Sequence, residues 1–107
     1  MDGVSLDRGD FMKQLLTTLD DFSGGNFSTR LPSDWEGLEG RVADRINQIA
    51  SRMENFNTSL LRLRRQVGEE GKIGERLPLG DSVGSWAERV EAINSLVDGL
   101  SQPKPAP

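Results

Sequence analysis

The sequence contains no cysteine and no histidine among its 107 residues. Without cysteine, disulfide bonds, thiolate metal sites and thiol nucleophiles are excluded. Without histidine, the chain lacks the commonest general base, the commonest zinc ligand and the phosphate-accepting residue of a histidine kinase. The remaining side chains supply no set of base, nucleophile and orienting group, so we predict that the chain is not an enzyme and holds no cofactor or metal.

Positive charge and long hydrophobic runs are also scarce. The formal net charge is −4, which gives no electrostatic reason to expect nucleic acid as a partner. No run approaches the eighteen apolar residues of a membrane span, and residues 1–10 lack the basic start and apolar core of an export signal. We therefore predict no membrane segment and a cytoplasmic location. Apolar residues make up only 35% of the chain, which favours oligomerisation as a supplement to a small core.

The longest pattern in the sequence is an amphipathic helix from Gly37 to Val67. At 1.5 Å per residue it would run for roughly 45 Å, more than the width of a compact domain of this length. From Ile49 to Val67 its apolar residues are spaced 4, 3, 4, 3, 4, the narrow seam of a coiled coil, whereas from Leu38 to Ile49 they are spaced 4, 4, 3. This change is typical of a stutter, so we predict two half-helices fused into one.

Two shorter helices carry the same seam. The first of them is predicted to begin at Asp7 or Asp10 and to end near Gly24. Capping boxes are predicted at Ser33–Glu36 for the long helix and at Ser85–Glu88 for the last helix. The seam residues predicted to form the bundle core are Met12, Leu15, Leu19, Phe22, Leu38, Val42, Ile46, Ile49, Met53, Phe56, Leu60, Leu63, Val67, Trp86, Val90, Ile93, Val97 and Leu100.

The segments between the helices repeat. Gly25–Pro32 and Gly71–Pro78 match 46 residues apart at the glycine, at a large apolar residue and at Arg-Leu-Pro. Ile46-Asn47 and Ile93-Asn94 match 47 residues apart, so one connector is a residue longer. We predict that both asparagines lie on a helix surface or flank, in preference to a register-setting or signalling role.

The order of a helix, a connector that starts with glycine and a second helix occurs twice in the chain. This arrangement resembles the HAMP domain of bacterial and fungal signalling proteins over residues 7–101. Val67–Ile73, followed by Gly84–Trp86 and Ile93-Asn94, is most similar to the tandem HAMP arrays of hybrid histidine kinases in two-component systems. The segment Asp34–Gly37 keeps the aspartate and glycine of the family's Asp-Glu-x-Gly signature, with Trp35 where glutamate is usual.

The resemblance implies an all-α fold. It also implies a parallel homodimer in which each unit is a four-helix coiled-coil bundle. The first unit would span residues 7–53 and the second residues 50–101, with the central helix 34–67 shared between them, a frayed terminus at 1–6 and a proline-rich tail at 102–107. The connector residues implied to turn or pack against the bundle are Gly25, Phe27, Leu31, Gly71, Ile73 and Leu77.

The same resemblance implies a function in signal relay. Such a module transmits a conformational change between input and output modules, present in the same chain or on separate chains, by shifting between two packings of the bundle. The alternative is a constitutive dimerisation scaffold, which shares the fold and keeps a single packing.

Overall fold

The computed structural model describes residues 8–101, which form three α-helices: α1 (Arg8–Ser23), α2 (Gly37–Arg64) and α3 (Gly84–Ser101). Residues 8–101 contain no strand, so the predicted all-α class is confirmed. The pairing of two chains into four-helix bundles stays a prediction. The frayed terminus predicted at residues 1–6 and the tail predicted at 102–107 lie outside the described residues.

The long helix α2 ends differently from the prediction. Its α-helical hydrogen bonding stops at Arg64, and a π-helical turn follows over Arg65–Glu69, closed by a bond from the Glu70 N–H to the Arg65 carbonyl (3.0 Å). A π-turn accommodates one extra residue within a helix. The predicted helix end at Val67 thus lies inside this turn.

Both predicted capping boxes are wrong. The helix α2 begins at Gly37 and α3 begins at Gly84, so Ser33 lies before its helix and Ser85 lies inside its helix. Both glycines have positive φ angles, 64° and 57°, in the left-handed region that glycine adopts without strain. A capping box at Ser33 needs right-handed helical backbone after that residue, and the left-handed Gly37 interrupts it, whereas Ser85 already lies inside α3.

The chain divides into two compact units, Met1–Phe56 and Asn57–Pro107, and the boundary falls inside α2. The core of the first unit consists of Phe11, Leu31, Trp35 and Ala43. The edge of the Phe11 ring packs against Trp35 with 5.1 Å between centroids, the T-shaped geometry that aromatic pairs favour. In the second unit the buried apolar side chains are Leu63, Leu77, Val90 and Val97.

The backbone of Trp35 lies close to Gly40 in the first turn of α2. A Cβ at Gly40 would lie 2.2 Å from the Trp35 carbonyl oxygen, a distance that no side chain tolerates. Gly40 therefore allows the backbone at Trp35 to lie against the first turn of α2. The Trp35 indole is part of the core of the first unit.

In the first half of α2, the helix face that packs within one chain lies beside the seam. Ala43 and Ala50 are completely buried, and each directly follows a seam residue, Val42 and Ile49. One residue turns a helix by about 100°, so the buried face is rotated away from the seam by that angle. Among the predicted bundle-core residues, those exposed in the single chain are Met12, Leu19, Leu38, Ile49 and Leu100.

Candidate functional site

In each unit, an asparagine side chain holds the connector against the helix that follows it. In the first unit the Leu31 N–H donates to Asn47 Oδ1 (2.8 Å), and Asn47 Nδ2 donates to the Leu31 carbonyl (2.9 Å). A primary amide offers one donor and one acceptor side by side, and here it satisfies both backbone groups of a single buried residue. Asn47 is half-buried, so the predicted surface or flank position did not anticipate this contact.

The second unit repeats the same contact. The Leu77 N–H donates to Asn94 Oδ1 (2.8 Å), and Asn94 Nδ2 donates to the Leu77 carbonyl (3.0 Å). We call the two arrangements the asparagine clamps. The signal for them was present in the sequence, because both the asparagine and the Arg-Leu-Pro segment recur in the repeat, although nothing in the spacing indicated that the two would meet.

The arginine of each Arg-Leu-Pro segment forms a second attachment. Arg30 Nη1 donates to the carbonyls of Phe27 and Thr29, the latter at 3.0 Å. Its Nη2 donates to Ser51 Oγ (3.2 Å) and forms an ion pair with Glu54. One guanidinium thus gathers two connector carbonyls and two α2 side chains. Its five donors in a rigid plane suit this role better than the single ammonium of a lysine would.

Arg76 has the same role in the second unit. Its Nη1 donates to the carbonyls of Ile73 and Glu75, each at 2.7 Å. Its Nε and Nη2 approach Asp98 Oδ1 at 2.9 and 2.7 Å. Because the Asp98 side chain is 55% exposed, the ion pair itself adds at most about 1 kcal/mol. The main contribution of Arg76 is to fix the curvature of the connector backbone.

The spacing of these partners along the helices is the same in both units. Ser51 follows Asn47 by four residues, and Asp98 follows Asn94 by four residues. Residues four apart lie on one helix face, a turn from each other. Each helix therefore presents an amide and then an oxygen acceptor to the connector, and the connector supplies a leucine backbone and an arginine.

The predicted connector residues differ between the units. Leu31 and Leu77 are buried, at 3% and 4% exposure. Phe27 is half-buried and packs against Phe22 with 5.3 Å between ring centroids, whereas Ile73 is 47% exposed. An aromatic partner for Phe27 explains its burial in the first unit.

The two glycines that open the connectors have positive φ, 87° at Gly25 and 70° at Gly71. These angles allow the chain to leave each helix sharply, as predicted from their position after the helix ends. A match that the sequence reasoning missed lies at the other end of the connectors, where Asp34 and Gly37 recur 47 residues later as Asp81 and Gly84.

The contacts described above are hydrogen bonds and ion pairs that hold each connector against a helix. Within the part of the chain that the structure describes, no group of three or more acidic side chains converges as metal ligands would. No helix over residues 8–101 has both the length and the apolar character of a membrane span. The chain matches no protein-family model, and no solved structure matches it.

Proposed function

We propose that this chain is a signal-relay module of the HAMP type, which acts as a parallel homodimer and transmits a conformational change between input and output modules in the same chain or on separate chains. The observation that carries this proposal is the uncovered seam. Five of the predicted seam residues remain exposed on the helices of the single chain, and a second chain packed on the seam would cover them.

The size of the uncovered surface supports a second copy of the chain as that partner. Met12 is 54% exposed, Leu38 65% and Ile49 52%, although all three lie on the predicted seam. Full burial of one such side chain is worth about 1.5–3 kcal/mol. Several of them buried together from each of two chains supply enough free energy for a stable dimer. Like helices with the same seam spacing pack in this way in coiled coils.

The attachment of the connectors supports relay. The helix α2 continues through the boundary between the units, at Phe56 and Asn57. The asparagine clamp ties the first connector to α2, so a rotation of α2 about its axis would carry the Leu31 backbone with it. A helix whose rotation also moves a connector can serve as a two-state element. A relay requires such an element.

Disulfide cross-linking tests the parallel dimer, since the natural chain has no cysteine. We expect Ile49→Cys to form a disulfide between two identical positions, because a parallel, in-register seam brings them together. The exposed neighbour Gln48→Cys is the matched control, since it lies about 100° away from the seam, and it should cross-link poorly.

Two outcomes would overturn the proposal. A well-folded monomer at micromolar concentration in sedimentation equilibrium would contradict the proposed dimer. Preferential cross-linking of Leu38→Cys to Leu63→Cys, in a mixture of the two variants, would indicate antiparallel chains. If the dimer is parallel but the second unit does not respond to changes in the first unit, the function would be that of a constitutive scaffold.

A further inference from the structure

The end of α2 is built differently from the end of α1. The helix α1 ends in a Schellman motif, which satisfies two free carbonyls at the helix end. The Asn26 N–H donates to the Asp21 carbonyl (2.8 Å). The Gly25 N–H donates to the Phe22 carbonyl (2.9 Å). The helix α2 instead passes into the π-turn over Arg65–Glu69 before its connector begins.

The two helix ends nevertheless bond corresponding positions of the repeat. The Gly24 N–H donates to the Asp20 carbonyl (3.1 Å), and the Glu70 N–H donates to the Arg65 carbonyl (3.0 Å). The two acceptors are 45 residues apart in the sequence, whereas the two donors are 46 residues apart. The bond in α1 therefore has the α-helical spacing of four residues, and the bond in α2 has the π-helical spacing of five.

A second pair of backbone bonds has the same offsets. The Lys72 N–H donates to the Gln66 carbonyl (2.8 Å), as the Asn26 N–H does to the Asp21 carbonyl in the first unit. The acceptors are again 45 residues apart and the donors 46. The bond that closes the Schellman motif of α1 thus spans one more residue at the end of α2.

The side chains that link each helix end to its connector follow this register too. Thr29 Oγ1 donates to Asp21 Oδ2 (2.6 Å) in the first unit. Gln66 Nε2 donates to Glu75 Oε1 (3.3 Å) in the second. The helix positions are 45 residues apart and the connector positions 46, so both units bring the same two positions together.

The burial of the helices places the extra residue within the π-turn. At an offset of 45, Thr18 corresponds to Leu63, and the two side chains are 3% and 4% exposed. Leu16 corresponds to Leu61, and both are exposed, at 61% and 47%. The helix before the turn therefore keeps the register of α1, and the connector after the turn keeps the register of the first connector.

We infer that the π-turn stores one residue of slack between α2 and the second connector. One residue advances the chain by about 1.5 Å in a helix and by up to about 3.3 Å when extended. Opening of the turn therefore lengthens the link to the connector, while the asparagine clamp between Leu77 and Asn94 stays closed. The first connector has no such reserve, because α1 reaches it with one residue fewer.

The turn is held mainly by its backbone bonds. The Glu70 carboxylate lies 3.6 Å from Arg65 Nε and 3.1 Å from Lys72 Nζ, but all three side chains are at least 39% exposed. Ion pairs this exposed contribute little stability. A π-turn is also a rare form of helix, which favours opening at this point over opening in the α-helix before it. These arguments concern the second unit alone, so the inference does not rest on the proposed relay function.

Hydrogen exchange of the whole chain, followed by NMR, tests whether the turn opens locally. We expect the protection factors of the Glu70 and Lys72 amides to be at least about tenfold lower than those of Gly24 and Asn26, in line with the scarcity of π-helix relative to α-helix. The Leu77 amide, held by its clamp, should exchange more slowly than Glu70. Equal protection at the two helix ends, or exchange of Leu77 together with Glu70, would overturn the inference.

Deletion of Glu69 removes the slack. Glu70 then becomes the fourth residue after Arg65, which is the α-helical spacing, and the Lys72 N–H regains the spacing of the Schellman motif. We expect protection at Glu70 and Lys72 to rise at least about tenfold and protection at Leu77 to stay unchanged. Unchanged protection at Glu70 would show that the turn does not open, and the inference would be wrong.

Deletion of Ser23, at the corresponding place in α1, is the matched control. Because the first unit has no residue to spare, this deletion should lower protection of the Leu31 amide at least about tenfold. Two results would count against stored slack. Loss of protection at Leu77 on deletion of Glu69 would show that the second connector needs the extra residue, and unchanged protection at Leu31 on deletion of Ser23 would show that the first connector has slack as well.

Discussion

Replacing Asn47 with alanine removes the clamp on the first connector without touching the seam. The substitution deletes two hydrogen bonds, of 2.8 and 2.9 Å, and leaves the N–H and the carbonyl of Leu31 without partners. Leu31 is only 3% exposed, so water does not readily replace the lost amide. Each buried backbone group left unsatisfied costs about 1–3 kcal/mol, which gives a loss of about 2–6 kcal/mol for the pair.

Part of this loss is offset by helix propensity. Alanine is favoured over asparagine inside a helix by about 0.6 kcal/mol. We therefore expect Asn47→Ala to lower the free energy of unfolding by a net ~1.5–5.5 kcal/mol, measured by urea denaturation at matched protein concentration. Asn57→Ala is the matched control, because Asn57 is exposed on the same helix, and it should raise stability by about 0.6 kcal/mol through helix propensity alone.

A second variant separates the two bonds. Asn47→Asp keeps the acceptor for the Leu31 N–H but turns a carboxylate oxygen towards the Leu31 carbonyl at neutral pH. Protonation restores a donor, so the introduced carboxyl should have a raised pKa in the folded state. Its stabilising contribution is then fully present below the unfolded pKa of about 3.9 and is lost as pH rises through the folded pKa. The deficit relative to the parent should be smaller near pH 4 than at pH 7.

Hydrogen exchange supplies the direct measurement, since the Leu31 amide is the donor to Asn47. Its protection should fall strongly in Asn47→Ala and stay unchanged in the control. The reasoning is refuted if Asn47→Ala is no less stable than Asn57→Ala, or if protection at Leu31 survives the loss of the amide.

Two further predictions concern coupling and backbone approach. Phe27→Ala should destabilise the first unit by about 1.5–3 kcal/mol, because the half-buried ring loses its aromatic contact. If the units are coupled through α2, hydrogen exchange at Leu77 should also rise, and unchanged exchange there would make the long helix a passive spacer. Gly40→Ala should destabilise by more than about 1 kcal/mol despite better helix propensity, since its Cβ would meet the Trp35 carbonyl oxygen at 2.2 Å. Gly99→Ala, with nothing within 4 Å of its Cβ, should instead raise the melting temperature, and equal effects of the two substitutions would contradict this account.

The sequence alone was sufficient to predict the three helices and the glycines at the start of the connectors, although it did not predict how the helices begin. Apolar spacing of three and four residues predicts helices, and the predicted start at Asp7 or Asp10 brackets the observed start of α1 at Arg8. Glycines with positive φ end and begin the elements where a left-handed residue is needed, as at Gly25. These features depend on neighbours within one or two helical turns, which a linear pattern records directly.

Only the tertiary structure decided which side of the first half of α2 faces its own chain. The seam at Val42 and Ile49 was visible in the spacing, but the completely buried positions are Ala43 and Ala50. Alanine contributes little to a hydrophobic pattern, and it is buried here because its small side chain allows another segment to approach closely. A pattern that repeats every three to four residues specifies an apolar face, and it does not specify which partner covers each edge of that face.

The asparagine clamps were beyond sequence reasoning for a related reason. Asn47 bonds to a backbone 16 residues earlier, and Asn94 to one 17 residues earlier. Both groups of the leucine backbone are available in any loop, so nothing in the sequence marks this particular residue as the partner. The burial of the leucine places the connector along the helix, and in that position the amide side chain has a donor and an acceptor within reach. The sequence therefore determined the helices and the repeat, and the packing of the connectors determined the contacts that hold each unit together.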